Sequence, residues 1–339
     1  MEQEALKKAI DASVETHGFS GVVSIRQDGA VLYQCAAGYA DRNNRIPNTL
    51  RTRFGTGSGS EFFTALVIGM LIEVGKLSFS TRLEDVVSLG LSQYSDDITI
   101  RHLLTHTSGI PDCHDEDLVQ DFDSFMLSIP GYGLRGPRDY PRVFPDGPMK
   151  LPPGERFCYS NSGYILLGIV IEAVTGRAYR AVVQKQWLEP IGMHRSGDSA
   201  LDRLPEETAW GYAEEDDGWR TNIYNVPIIG SSDGGAFVTA DDLAALWDAF
   251  WAHKILCKET VDVFTQPFVR AGKRRHYGHG IWIYDAAGRR RQEYIEGSDA
   301  GVSFCSSTDR ARRLLTTVMS NTSNGAWPVL ADAEAALAG

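Results

Sequence analysis

Leu6, Ile10 and Val14 recur at helical spacing through a charged N-terminal stretch, and Gly18 follows where such a helix would close. The period then changes. Val23 and Ile25 alternate with polar neighbours, Asp28-Gly29 supplies a turn and residues 31–37 return, which reads as a β-hairpin. Residues 59–75 revert to a helical pattern, with Phe63, Leu66, Val67, Met70, Leu71 and Val74 along one side and Gly75 at the end.

From about residue 76 to 219, helical patches (RHLLTHTSG, GYILLGIVIEAVTG, AVVQKQWLEPIGM) are joined by loops rich in Pro and Gly, notably IPGYGLRGPRDYPRVFPDGPMKLPPGE. A connection of that length without periodicity is read as a functional rim. A further helix is expected over 239–254, where Thr239 and Asp242 have capping-box spacing. The last third returns to strands: HGIWIYD, a turn at Ala287-Gly288, RQEYIEG, GVSFCSS and RRLLTTVMSN, then a helix over 327–337. Short turns between adjacent strands make them antiparallel. The expected fold is therefore α+β: one antiparallel β-sheet flanked by helices and built from residues 1–75 and 220–339. A mostly helical lobe, 76–219, is inserted, with the site between the two.

The chain has 339 residues, 43% of them apolar, enough for one large domain or two lobes sharing a core. Its net charge of −11, from 44 acidic against 33 basic side chains, disfavours nucleic acid and anionic membranes as partners. Arg289-Arg290-Arg291 after Gly288 reads as a charged hairpin tip. The apolar run 66–74 is too short to span a bilayer and is interrupted by Gly69 and Glu73. With no secretory pattern at the start, and five scattered cysteines lacking a CxxC pair, a soluble cytoplasmic protein with free thiols is expected.

The chemistry concentrates in FGTGSGSEFFTAL, residues 54–66. Gly57 and Gly59 allow a sharp turn that leaves the Ser58 hydroxyl uncovered at the start of a helix, where free N–H groups suit a developing oxyanion. The same position suits a serine that caps the helix. The segment alone leaves both readings open. It is not a G-x-S-x-G elbow, because Thr56 stands where the first glycine belongs. The loop DCHDED at 112–117 is read as an acidic surface loop rather than a metal site.

The segment resembles the S-x-x-K signature of the serine β-lactamase and penicillin-binding protein superfamily, most closely its class C β-lactamase-like esterases and D-peptidases. Their pattern, F-x-x-G-S-x-S-K-x-F-T-A, is matched by Phe54, Gly57, Ser58, Ser60, Phe63, Thr64 and Ala65, whereas Glu61 replaces the lysine. Further blocks agree in order: ITIRHLLTHTSGI (98–110), PGERFCYSNSGYILLGIVIEAVTG (153–176) with Tyr159-Ser160-Asn161 as Y-x-N, LEPIGM (188–193) and GGAFVTADDLAAL (234–246). The resemblance covers roughly residues 18–325. It implies an acyl-transfer site with Ser58 as nucleophile, Tyr159 as general base and leaving-group acid, and Asn161 as an orienting amide. No cofactor or metal is implied. His106, inside the HTSG turn, is assigned a capping or packing role.

The third family motif, K/H-x-G, aligns with Ile295-Glu296-Gly297 or Glu296-Gly297-Ser298, and neither register supplies Lys or His first. Gly297 would let substrate approach the strand, and the N–H of Ser298 would pair with that of Ser58 as an oxyanion hole. Asp299 is read as a turn residue. Without a cation in this motif, recognition of a substrate carboxylate is weakened. The expected partner is a small-molecule ester, amide or β-lactam-like substrate, with neutral esters or small amides favoured over penicillins.

Glu61 is the anomaly. An ordinary carboxylate, with a pKa of about 4.3, is a poor acceptor for a serine proton, and its charge hinders ionisation of Tyr159. Loss of one general base costs about 10²–10⁴ in rate, so an impaired first step is expected. Three explanations stand side by side. The chain is an engineered inactive variant of an S-x-x-K enzyme, a pseudoenzyme that binds ligands without turnover, or an enzyme in which a buried, apolar setting raises the Glu61 pKa and makes it a working acid/base.

Overall fold

The computed structural model describes residues 2–338 apart from 91–92, 116–120, 122, 127 and 286–290. The expected Ala287-Gly288 turn, Arg289 and Arg290, and Glu116 and Asp117 of the acidic loop lie outside the described residues.

In chain order the principal elements are α1 (Glu2–Thr16), β1 (Gly21–Gln27), β2 (Ala30–Ala37), α2 (Glu61–Glu73), α3 (Ile100–Leu104), α4 (Asn161–Thr175) and α5 (Ala240–Trp251). Then come β3 (Val269–Arg270), β4 (Arg275–Tyr277), β5 (Trp282–Asp285), β6 (Arg291–Asp299), β7 (Val302–Asp309), β8 (Leu314–Ser320) and α6 (Ala326–Ala338). The eight strands form one antiparallel sheet in the order β2-β1-β8-β7-β6-β5-β4-β3. β8 closes against β1, with Gly21 opposite Ser320 and Gln27 opposite Leu314, so the two ends of the chain share a sheet. The short strands β3 and β4 at one edge carry no alternation long enough to read from sequence.

The period-2 alternation sends neighbours to opposite faces of the sheet. Val23, Ile25 and Val318 pack against Leu6 and Ile10 of α1 and Val329 and Ala333 of α6. Val22, Ile295, Phe304 and Met319 face the larger core, which contains α2, α3 and α4. Among the described residues, no helix is long and apolar enough to cross a membrane.

Three local expectations need correction. The helix expected from residue 59 starts at Glu61, after a tight 3₁₀ turn over Gly57–Ser60. It is not one-sided either: Phe62, Phe63, Ala65, Leu66, Val67 and Ile68 are all buried, whereas Val74 is 68% exposed. A helix apolar all round belongs in the middle of a core, and α2 lies there. At α5, Thr239 does accept the Asp242 N–H at 3.2 Å. The reciprocal half of the box is missing, because the Asp242 carboxylate accepts from Arg195 N and Ser196 Oγ instead.

Candidate active site

Ser58 sits in the 3₁₀ turn, not at the N-cap of α2, which is Ser60. A capping role for Ser58 is therefore not the one its position serves. Gly57 adopts φ +49°, a left-handed conformation that glycine accepts without strain. In a 3₁₀ turn, residues three apart eclipse one another, which stacks Ser58 and Glu61, and the Glu61 N–H donates to the Ser58 carbonyl. Opposite the turn runs β6. A Cβ on Gly297 would fall 2.6 Å from the backbone nitrogens of Ser58 and Gly59 and would also meet the Thr56 carbonyl, so only glycine lets the strand come this close. Ser298 follows on the same strand, paired with Ser303 of β7.

Glu61 is buried, with 3% of its surface exposed. Its carboxylate accepts from the Tyr159 hydroxyl at 2.9 Å on Oε1, and from Tyr277 at 3.3 Å and His106 Nε2 at 3.2 Å on Oε2. The tautomer of His106 follows from its other nitrogen. Nδ1 accepts the Ser160 N–H at 3.2 Å, so the neutral ring carries its proton on Nε2 and donates it to Glu61. Burial pushes the His106 pKa down to about 3, leaving the imidazole uncharged at neutral pH. Burial likewise raises the Glu61 carboxyl well above its ordinary range, and the Tyr159 and Tyr277 hydrogen bonds offset only part of that rise.

The Y-x-N segment enters α4. Ser160 caps the helix by accepting the Gly163 N–H at 3.2 Å, which turns Tyr159 and Asn161 to either side of the cap. Asn161 Nδ2 donates to Asp112 Oδ2 at 2.9 Å and to the His114 carbonyl at 3.4 Å, so its amide is aligned by the chain rather than left free. Asp112 also accepts the Ser162 N–H at 3.1 Å and is 4% exposed. This corrects the reading of 112–117 as a surface loop: its first aspartate is a buried hydrogen-bond acceptor.

Glu296, where the third motif would carry Lys or His in one register, is ion-paired with Arg275. The Arg275 guanidinium in turn lies 4.2 Å over the Trp282 ring. Asp299 ends β6 at the Ala300-Gly301 hairpin and accepts the Ala300 N–H at 2.9 Å, as its reading as a turn residue implied. Ser58 lines two cavities. One is also lined by Tyr159, Trp282, Gly297, Ser298 and Trp327. The other is lined by Asn161, Asp233, Asp299 and apolar side chains, among others.

The structure thus brings Ser58, Tyr159, Gly297 and Ser298 around one cavity, joins Glu61 to Tyr159, and puts Asn161 in the neighbouring cavity. Tyr277 carries no motif in the sequence. His106, assigned to packing, touches Glu61 directly. The one signal for it was that a polar ring in an apolar block must find a partner when buried.

A serine on a tight turn before a fully buried helix, facing a glycine-bearing sheet strand and a Tyr-x-Asn helix start, defines a protein of the penicillin-binding and β-lactamase fold. The Beta-lactamase family profile matches residues 6–339, and the chain belongs to that family. It is similar to a penicillin-binding protein from Bacillus halodurans, with a TM-score of 0.91 and 40% identity over 96% of this chain and 99% of that one. The octameric penicillin-binding protein homologue from Pyrococcus abyssi superposes with a TM-score of 0.83 at 29% identity, over 100% of this chain and 77% of that one. Penicillin-binding protein 4* of Bacillus subtilis (strain 168) is 29% identical over 294 residues, covering 79% of this chain and 60% of that protein. The chain thus spans less than two thirds of that relative's length.

Proposed function

We propose that the chain is a serine hydrolase that cleaves an ester or amide through an acyl-enzyme on Ser58, with Glu61 as the terminal proton acceptor. The observation that carries this reading is the 2.9 Å hydrogen bond from Tyr159 to Glu61 Oε1, made by a tyrosine that lines the same cavity as Ser58. Ser58 Oγ attacks the carbonyl carbon and passes its proton to Tyr159 Oη as the Tyr159 proton moves to Glu61 Oε1. Tyr159 therefore never has to persist as phenolate. Collapse of the tetrahedral intermediate reverses the transfer: Tyr159 protonates the departing alcohol or amine and recovers a proton from Glu61. Water then attacks the acyl-enzyme along the same relay, and Ser58 is released with its proton. The N–H groups of Ser58 and Ser298 serve as the oxyanion hole.

A carboxyl raised by burial suits this work better than an ordinary one, because a proton acceptor is most effective with a pKa near the operating pH. The glutamate that looked like a lesion in an S-x-x-K enzyme becomes useful through its burial. Substrate charge follows from the third motif. Arg275 is engaged with Glu296 and Trp282, so the motif offers no unpaired cation for a substrate carboxylate, which favours neutral esters or small amides over penicillins.

The test is hydrolysis of short p-nitrophenyl esters and a chromogenic cephalosporin by this chain, Glu61→Gln and Glu61→Lys, with a fluorophosphonate to label Ser58. Turnover by the native chain that both substitutions abolish supports the relay. Activity that appears only with lysine makes Glu61 a lesion. No adduct and no turnover, with ligand binding retained, leaves a binding protein on a hydrolase scaffold. Preference for the cephalosporin would overturn the substrate assignment.

A further inference from the structure

His106 lies in the turn that follows α3 and lines neither cavity beside Ser58, so it does not face the reacting atoms. It is 1% exposed, and its backbone takes φ +50°, a left-handed conformation that a residue with a side chain keeps only where its surroundings impose it. Those surroundings include a run of backbone hydrogen bonds to the arm that carries Tyr159. The Gly109 carbonyl accepts the Lys150 N–H at 2.7 Å, the Thr107 carbonyl accepts from Gly154 at 2.8 Å and the His106 carbonyl accepts from Cys158 at 2.7 Å. The ring continues the run, because Nδ1 accepts the Ser160 N–H.

With Nδ1 spent as an acceptor, the one proton of the neutral ring is on Nε2, and it goes to Glu61 Oε2 at 3.2 Å. Aromatic packing holds the ring in that pose: its centroid lies 4.2 Å from that of Tyr159, 4.7 Å from Tyr277 and 4.9 Å from Tyr164. A cation in this place would pair with Glu61, hold it ionised and weaken it as a proton acceptor. An uncharged donor fixes the carboxylate's orientation without placing a counter-charge beside it. The other titratable groups around Glu61 are Tyr159 and Tyr277, which also donate to it, and Asp112, Asp233, Tyr164 and Tyr179, which act on it through charge alone. None of these is a cation.

We propose that His106 is a positioning residue: a neutral donor of fixed tautomer that ties Glu61 Oε2 to the Tyr159 arm and so presents Oε1 to the Tyr159 hydroxyl. The acceptor and the tyrosine come from separate parts of the chain, and His106 is hydrogen-bonded to Glu61 on one side and to Cys158 and Ser160, which flank Tyr159, on the other. It therefore sets the register between them. Its part in catalysis rests on the relay through Glu61, whereas its hold on the carboxylate does not.

Two substitutions in the full chain separate the contacts of the ring. His106→Asn can still accept the Ser160 N–H, and asparagine tolerates positive φ, but it is too short to reach Glu61. His106→Gln is long enough to donate to Glu61 from its amide. Carbon NMR titration of the glutamate carboxyls, with Glu61 assigned through Glu61→Gln, reads the ionisation without turnover. Loss of one donor to a carboxylate disfavours its charged form, so His106→Asn should move the Glu61 titration up by about one pH unit and His106→Gln should bring it back. A titration unmoved in folded His106→Asn, or moved equally by both variants, would overturn the proposal. The acid limb of kcat/KM for p-nitrophenyl acetate should follow, with a loss of about tenfold on that limb in His106→Asn and an unchanged KM, since His106 lines neither cavity. A titration that moves while the limb stays put upholds the positioning of Glu61 and sinks the relay instead. Where the variants fail to fold, nitrogen NMR of the histidine-labelled native chain decides: a proton on His106 Nε2 upholds the proposal, and a proton on Nδ1 overturns it.

Discussion

The Tyr159 hydroxyl donates to Glu61 Oε1 at 2.9 Å, so the residue at the motif's lysine position is bonded to the motif's tyrosine as an acceptor. A lysine there would donate. The substitution inverts the hydrogen-bond direction of the pair, and with it the route a proton can take.

Glu61→Gln preserves the side chain's shape and its acceptor oxygen but removes its capacity to hold a proton. It should lower kcat/KM by about 10²–10⁴-fold with the fold retained. Steady-state ester hydrolysis, with circular dichroism as a check on folding, measures this. Activity within a few-fold of the native chain would remove Glu61 from the mechanism.

Rate should climb with pH as Glu61 ionises, with its midpoint well above the ordinary carboxylate value of 4.5. The Tyr277 hydrogen bond favours the ionised form, so Tyr277→Phe should move that acid limb to higher pH while the plateau survives. A limb that stays put in the variant would restrict Tyr277 to packing.

Stability should follow pH in two opposed ways. Glu61 has a raised folded-state pKa, so the folded protein holds that proton more tightly than the unfolded chain. The resulting stabilisation is complete below about 4.5 and is lost as pH rises through the folded pKa. The Tm of Glu61→Gln relative to the native chain should therefore increase with pH above about 4.5. His106 works in the other direction. Its folded pKa of about 3 lies below the unfolded 6.5, so its contribution is full above 6.5 and lost as pH falls towards 3. Thermal melts across the pH range decide both signs.

Gly297→Ala drives a methyl group into the Ser58 turn, 2.6 Å from two backbone nitrogens. Forced overpacking of this kind costs about 1–3 kcal/mol, and here it also displaces Ser58 from the strand. Urea unfolding should show the loss, and fluorophosphonate labelling should slow in protein that remains folded.

Asn161→Ala removes one of the donors to the buried Asp112 carboxylate. Leaving a buried acceptor underserved costs about 1–3 kcal/mol, so destabilisation should accompany any loss of rate. Asn161→Ala with unchanged stability would mean that water replaces the amide.

Some of this architecture is plain in the linear pattern. The α1 period, the Asp28-Gly29 hairpin and α4, closed by Gly176 at φ +66°, are each dictated by residues within a few positions of one another. Local chemistry also marks Ser58, Tyr159 and Asn161, since each lies in a short motif. Strands β3 and β4, at two and three residues, are too short to alternate, and their pairing depends on the neighbouring strand. Burial of α2 on every side comes from the layers packed around it, which a one-sided reading of Phe63, Leu66 and Met70 does not include.

Glu61 shows the division most clearly. Its presence at the lysine position is a property of the sequence, and so is the expectation that an ordinary carboxylate would fail there. Whether it is ordinary depends on desolvation and on hydrogen bonds from His106, Tyr159 and Tyr277, which stand 45, 98 and 216 residues further along the chain. A pKa is set by the dielectric and the donors within a few ångströms, and only the folded chain brings those together.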